Sequence, residues 1–99
     1  MSSEISISPK ASADIIEIWN YTARTHSEDA ADSYIRAIDG TMAMALQFPE
    51  IGSDYSEIRQ GYRKLRSGSH LIFYLPTESG INIIRILHQR VDCLTQLHE

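Results

Sequence analysis

The chain has 99 residues, too few for two cores, because a domain this short buries only about 60–65% of its unfolded surface. Its 42% apolar and 22% charged content is that of an ordinary globular chain, and its longest apolar runs, such as residues 71–75, fall far short of the roughly 20 residues of a membrane-spanning helix. A net charge of −4 excludes the strongly basic balance of a general nucleic-acid binder. The total hides an asymmetry. Residues 1–57 carry ten acids against three bases (−7), and residues 58–99 carry six bases against three acids (+3), which marks a modest basic patch suited to an acidic partner. The single Cys93 can form no internal disulfide, and the N-terminal "MSSEISISPK" has neither the basic nor the apolar stretch of a signal peptide, so a cytoplasmic protein is expected.

In chain order, "EISIS" at 4–8 alternates and is β-branched, which predicts a short strand. Ser8 followed by Pro9 predicts a helix start, with Ser8 as N-cap and Pro9 in the first turn, where a missing N–H costs nothing. Ala11, Ile15, Ile18, Trp19 and Thr22 define one face of a helix reaching about Thr25, with Asp14, Glu17 and Asn20 off that face. Ser27 caps a second helix whose first turn holds Glu28 and Asp29, acids well placed against the helix dipole. Its apolar stripe is Ala31, Tyr34, Ile35, Ile38, Met42, Ala45 and Leu46, and Pro49 ends it by disfavouring helix at Phe48. Trp19 and Tyr34 fall on these stripes and read as core. Two amphipathic helices joined by one or two residues fold back on each other.

An irregular stretch at 52–61 precedes three strand-like runs, "YRKLR" at 62–66, "HLIFYL" at 70–75 and "INIIRILH" at 81–88. Ser67-Gly68 and the residues 77–80 are of hairpin length, so the runs predict an antiparallel meander with the last, most apolar strand central. The expected fold is one α+β domain over residues 1–99, β-α-α-β-β-β, with a helical hairpin packed on one face of a mostly antiparallel sheet.

The segments "ISPKASADIIEIWNYTA" at 7–23, "ALQFPEIGSDYSEIRQGYRKLRSGSHLIFY" at 45–74 and "IIRILHQRVD" at 83–92 resemble the ParE branch of the RelE/ParE toxin superfamily. The resemblance implies the toxin of a bacterial type II toxin–antitoxin module, held inactive by a tightly bound, ParD-like antitoxin in a hetero-oligomer. It further implies poisoning of DNA gyrase, the activity associated with ParE-type toxins, whereas RelE-type relatives cleave mRNA on the ribosome. Fold alone does not choose between these, so the site residues must.

Metal-free RNA cleavage needs a base for the 2′-hydroxyl, an acid for the leaving oxygen and cations around the phosphate. The candidates are Lys64, Arg66, Arg85, His88 and Arg90. Against them, the strand after His70 is apolar (Leu71-Ile72-Phe73-Tyr74), and no tyrosine follows Tyr74 to supply a phenol in the tail. Alternation places His88 on the face of Ile84 and Ile86, and Arg85 on the face of Ile83 and Leu87, which makes His88 a hydrogen-bonding strand end. His26, His70, His88 and His98 lack metal-ligand spacing, and Cys93 reads as a packing residue of the tail. No catalytic residue, metal or cofactor is therefore expected. Tyr62, Lys64 and Arg66 share one face of their strand, and with Arg63, Arg85, His88 and Arg90 they form the expected partner-binding surface. Direct sequence-specific DNA binding by this chain alone is not expected. The runner-up functions are a RelE-like mRNA interferase and a degenerate module that retains only antitoxin binding.

Overall fold

The computed structural model describes residues 4–97, so Met1, Ser2, Ser3, His98 and Glu99 lie outside the described residues, His98 among them from the histidine set above. Strand β1 spans Glu4–Ile7 and helix α1 Pro9–Thr25. Ser8 stands at the N-cap with extended φ/ψ, and its Oγ accepts the Ala11 N–H at 3.0 Å. Helix α2 spans Glu28–Gln47, with Ser27 accepting the Ala30 N–H at 3.0 Å and the two acids in the first turn. Only His26 and Ser27 separate the helices, which pack as an antiparallel hairpin.

The sheet contains β2 (Ser53–Asp54), β3 (Arg63–Ser67), β4 (His70–Thr77) and β5 (Gly80–His88), and a short helix α3 (Cys93–Leu97) follows. Strand order is β1-β5-β4-β3-β2, with β1 parallel to β5 and every other pairing antiparallel. The expected α+β hairpin-on-sheet architecture is therefore present. Of two short elements, β2 lies in the stretch that reads as irregular from sequence and α3 in the tail, to which the sequence reading assigns no element. The final strand is interior, flanked by β1 and β4, but the middle of the five is β4; the two-residue β2 extends the sheet on the far side and moves its centre. A Cβ at Gly80, where φ is +156°, would overlap the Glu4 carbonyl, so the parallel β1–β5 contact requires glycine there.

The main core lies between the helical hairpin and one sheet face. It holds Ala11, Ile18, Ile38, Met42 and Ala45 from the helices and Ile72, Tyr74, Ile81, Ile83 and Ile86 from the sheet. A second cluster, Tyr55, Tyr62, Phe73 and Leu87, covers the opposite face and receives Ile58 from the preceding loop and Cys93 and Leu97 from α3. Cys93 is thus a packing residue of the tail, as its lack of catalytic spacing implied. Trp19 is only half-buried; its Nε1–H donates to Asp32 Oδ1 at 2.9 Å across the hairpin, so it joins the helices at their rim and is not core.

Alternation along β5 breaks once. Phe73 faces Arg85 and Tyr74 faces Ile83, which leaves Ile84 as an extra residue in a bulge. Ile83 and Ile86 consequently both enter the main core, while Ile84 packs with the second cluster. The placement of His88 on one face with both Ile84 and Ile86 is therefore corrected: it shares a face with Ile86 alone. Ser8 ties this bulge to α1, since its hydroxyl also donates to the Ile84 carbonyl at 2.7 Å. Ser8→Ala removes both bonds and is expected to lower stability by about 1–2 kcal/mol, more than the ~1 kcal/mol expected of Ser27→Ala, which loses a cap only. Urea unfolding of the two variants side by side measures the difference, and equal losses would show that the bulge contact contributes nothing.

Candidate functional site

Two of the sequence-selected cations, Arg85 and Arg63, are held by the fold. Arg85 lies against α1, where its Nε and Nη2 donate to Asp14 Oδ2 and Oδ1 at 2.8 and 3.0 Å, a bidentate pair with side chains 14% and 11% exposed. Asp14 Oδ2 also accepts the Ile86 N–H at 2.9 Å, directly after the bulge. The reading of Asp14 as off the buried face is corrected here. It stands three residues after Ala11 and four before Ile18, the spacing of the buried stripe itself, and that signal was available in the sequence. Arg63 faces the same side as Tyr74, and its Nη1 donates to the carbonyls of Glu50 and Gly52 at 3.2 and 2.7 Å, pinning the chain that leaves α2. Arg90 is exposed beyond the end of β5.

Lys64 and Arg66 point to the face away from the helical hairpin. Lys64 Nζ sits 4.3 Å from the centroid of the Tyr55 ring, which in turn packs on Phe73 at 5.5 Å. Burial, reinforced by the nearby Cys93, Glu57 and Asp92, raises the Tyr55 phenol above its ordinary value. Arg66 is exposed, with its Nε donating to the Gly68 carbonyl at 2.9 Å across the β3–β4 turn. Tyr62 shares this face as expected, yet at 7% exposure it belongs to the floor of the second cluster. Around these groups Ile58, Leu71, Leu75 and Ile84 are half-buried, and a groove of about 610 Å³ runs between the start of α1 (Pro9, Lys10), the loop residues Ile58 and Arg59, and Leu97. The surface is apolar at its centre with basic residues along its rim, the anatomy of a protein-binding face.

His88 opens onto a different cleft, of about 420 Å³, shared with Glu17, Tyr21 and Arg24 of α1 and with His70. His88 and His70 lie opposite each other in the β4–β5 register, with ring centroids 5.2 Å apart and nearly perpendicular. Tyr34, on the stripe of α2, reaches this end of the sheet: its hydroxyl lies 2.6 Å from His70 Nδ1 and accepts the Ser69 N–H at 2.9 Å. A phenol thus stands beside the histidines although none follows Tyr74 in the tail, and only the packing of α2 on β3 brings it there. Among the described residues no group of three or more His, Cys, Asp or Glu side chains is arranged to hold a metal ion. No helix of the described residues is long and apolar enough to cross a membrane.

The fold is similar to that of a chain in the solved structure of the chromosomal ParDE toxin–antitoxin system from P. aeruginosa, with a TM-score of 0.74 over 89% of this chain and 96% of that one; at 20% identity the likeness shows the fold. The chain belongs to the ParE toxin family of type II toxin–antitoxin systems, whose family model (the ParE toxin of parDE) matches residues 5–92. It is 44% identical over 93 residues to Toxin ParE1 of Mycobacterium tuberculosis, spanning 93% of this chain and 95% of that protein. It is 34% identical over 91 residues to Toxin ParE1 of Caulobacter vibrioides, spanning 92% and 94%. The protein is therefore the toxin of a ParDE-type module.

Proposed function

We propose that this toxin acts by binding, with DNA gyrase as its target, and that a ParD-like antitoxin neutralises it by seating an acidic, apolar segment on the sheet face around Lys64 and Arg66. The observation that carries the reading is how the cations are committed. Arg85 and Arg63 are engaged by Asp14 and by backbone carbonyls, so neither is presented to a substrate phosphate. Lys64 and Arg66 instead border a half-buried apolar surface, which suits a docked peptide better than a reacting phosphodiester. Membership of the ParE toxin family supports gyrase as the target, and an inhibitor of gyrase would act in the cytoplasm. The decisive experiment runs purified toxin in a gyrase supercoiling assay beside an in vitro translation reaction with mRNA mapping. Loss of supercoiling with intact message is the expected result; normal supercoiling with ribosome-dependent cleavage overturns it.

The antitoxin face has its own test. Lys64→Glu combined with Arg66→Glu is expected to weaken antitoxin binding at least tenfold, chiefly at low salt, because both charges border the proposed seat. Calorimetry or surface-based binding at two ionic strengths measures it, and unchanged affinity would remove this face from the proposal. Arg63→Glu serves as the contrast, since its expected effect is on folding.

A further inference from the structure

The cleft at the end of β5 contains two imidazoles, each hydrogen-bonded through Nδ1. The Tyr34 hydroxyl lies 2.6 Å from His70 Nδ1 and has the Ser67 carbonyl as a second acceptor at 3.4 Å, so this contact suits either tautomer of His70. His88 Nδ1 accepts the Arg90 N–H at 3.1 Å, a bond that needs this nitrogen free of a proton. The two rings stand directly opposite each other on neighbouring strands.

The charged and titratable groups facing the pair are Asp14, Glu17, Tyr21 and Arg24 from α1, Tyr34 from α2, and Arg85 from β5. Asp14 is occupied by Arg85 and the Ile86 N–H, and Glu17 shares the cleft with Arg24. Burial lowers the His70 value below 6.5, and proximity to His88 lowers it further, with Asp14 opposing.

The segment after β5 hangs on this pair. Beyond His88 the chain is fixed by the Gln89 N–H to the Ser69 carbonyl at 2.9 Å, by the Val91 N–H to the His88 carbonyl at 3.0 Å, and by the Arg90 N–H to the imidazole. It then runs into α3, which lays Cys93 and Leu97 over the second cluster. An imidazolium with a proton on Nδ1 cannot accept the Arg90 N–H. Two cations opposed across a strand pair also repel. We infer that His70 and His88 form an acid-sensitive latch whose protonation unfastens residues 89–97 from the sheet and uncovers the second apolar cluster.

The sign follows from the His70 shift. A histidine whose folded value is lowered binds fewer protons folded than unfolded. Its contribution is complete above the unfolded value of about 6.5 and is lost as pH falls through that value toward the lower folded one. The interval between pH 7.5 and 5.5 therefore brackets the change expected of His70.

The test is amide hydrogen exchange of the full-length toxin at pH 7.5 and 5.5, corrected for intrinsic rates, with the histidine ring signals followed by NMR over the same range. Protection in residues 89–97 is expected to fall at least tenfold at the lower pH while α1 and α2 keep theirs, and His88→Gln, which cannot titrate, is expected to reduce the change to less than twofold. Equal protection of the tail at both pH values overturns the latch, as does a pH response undiminished in His88→Gln or one spread evenly over the chain. Should His88→Gln fail to fold, the native titration decides alone. Tail amide shifts that track the His70 and His88 rings support the latch, and tail shifts independent of those rings refute it. None of these readouts depends on the toxin's target.

Discussion

Tyr74→Ala is expected to cost about 4–5 kcal/mol, a large share of the roughly 5–15 kcal/mol that stabilises a domain of this size. Tyr74 is the largest of the fully buried side chains, at 0% exposure, and lies on the middle strand against the helical hairpin. Removing it leaves a cavity that the flanking isoleucines cannot close without moving backbone. It also deletes two hydrogen bonds: the hydroxyl accepts the Gly52 N–H at 2.9 Å and donates to the Pro49 carbonyl at 2.8 Å. These bonds anchor the chain where it leaves α2. No Cβ fits at Gly52, because it would lie 2.6 Å from that same hydroxyl. Tyr74→Phe separates the two contributions. It keeps the ring and orphans a buried N–H, so a loss of about 1–2 kcal/mol is expected. Urea unfolding followed by far-UV circular dichroism measures both. A phenylalanine variant as stable as the parent would mean that the hydroxyl bonds have no net worth.

Asp14→Ala is the second large effect, expected at about 3 kcal/mol. The carboxylate accepts three hydrogen bonds, two from Arg85 and one from the Ile86 N–H. Its loss takes the opposing charge and two hydrogen bonds from a mostly buried guanidinium and leaves a strand amide without its carboxylate acceptor. The charge is the larger part of the penalty, so removing it as well recovers stability. Asp14→Ala with Arg85→Met is expected to be at least about 1 kcal/mol more stable than Asp14→Ala alone. A double-mutant cycle by urea unfolding checks this, and purely additive losses would show that the pair is not coupled.

The element order, both N-caps and the helical hairpin were legible because each rests on local chemistry: a Ser-Pro start, a Ser27 cap ahead of two acids, and stripes of period 3.6. The strand faces were legible up to the bulge at Ile84. A bulge is chosen by packing on both sides of the sheet, and no residue type along "IIRILH" announces it. The candidate surface was legible in part. Lys64 and Arg66 stand on the face that alternation assigned them, but the fates of Tyr62, Arg63 and Arg85 were decided by what folds over them. The loop at 55–62 buries Tyr62, the backbone after α2 takes Arg63, and α1 supplies Asp14 to Arg85. Tyr34 beside His70 was out of reach for the same reason, since the two are 36 residues apart and meet only in tertiary structure.

The parallel pairing of β1 with β5 governs when this toxin comes into being. Glu4 finds its partner at Gly80, and Ser8 caps its helix while holding a carbonyl 76 residues further on. At the ~5–20 residues per second of translation, that interval lasts roughly 4–15 s. Throughout it the helical hairpin can form from local contacts, whereas the first strand has nothing to pair with and the sheet has no completed face. The final strand closes both together, so neither face of the sheet is complete until β5 has been made.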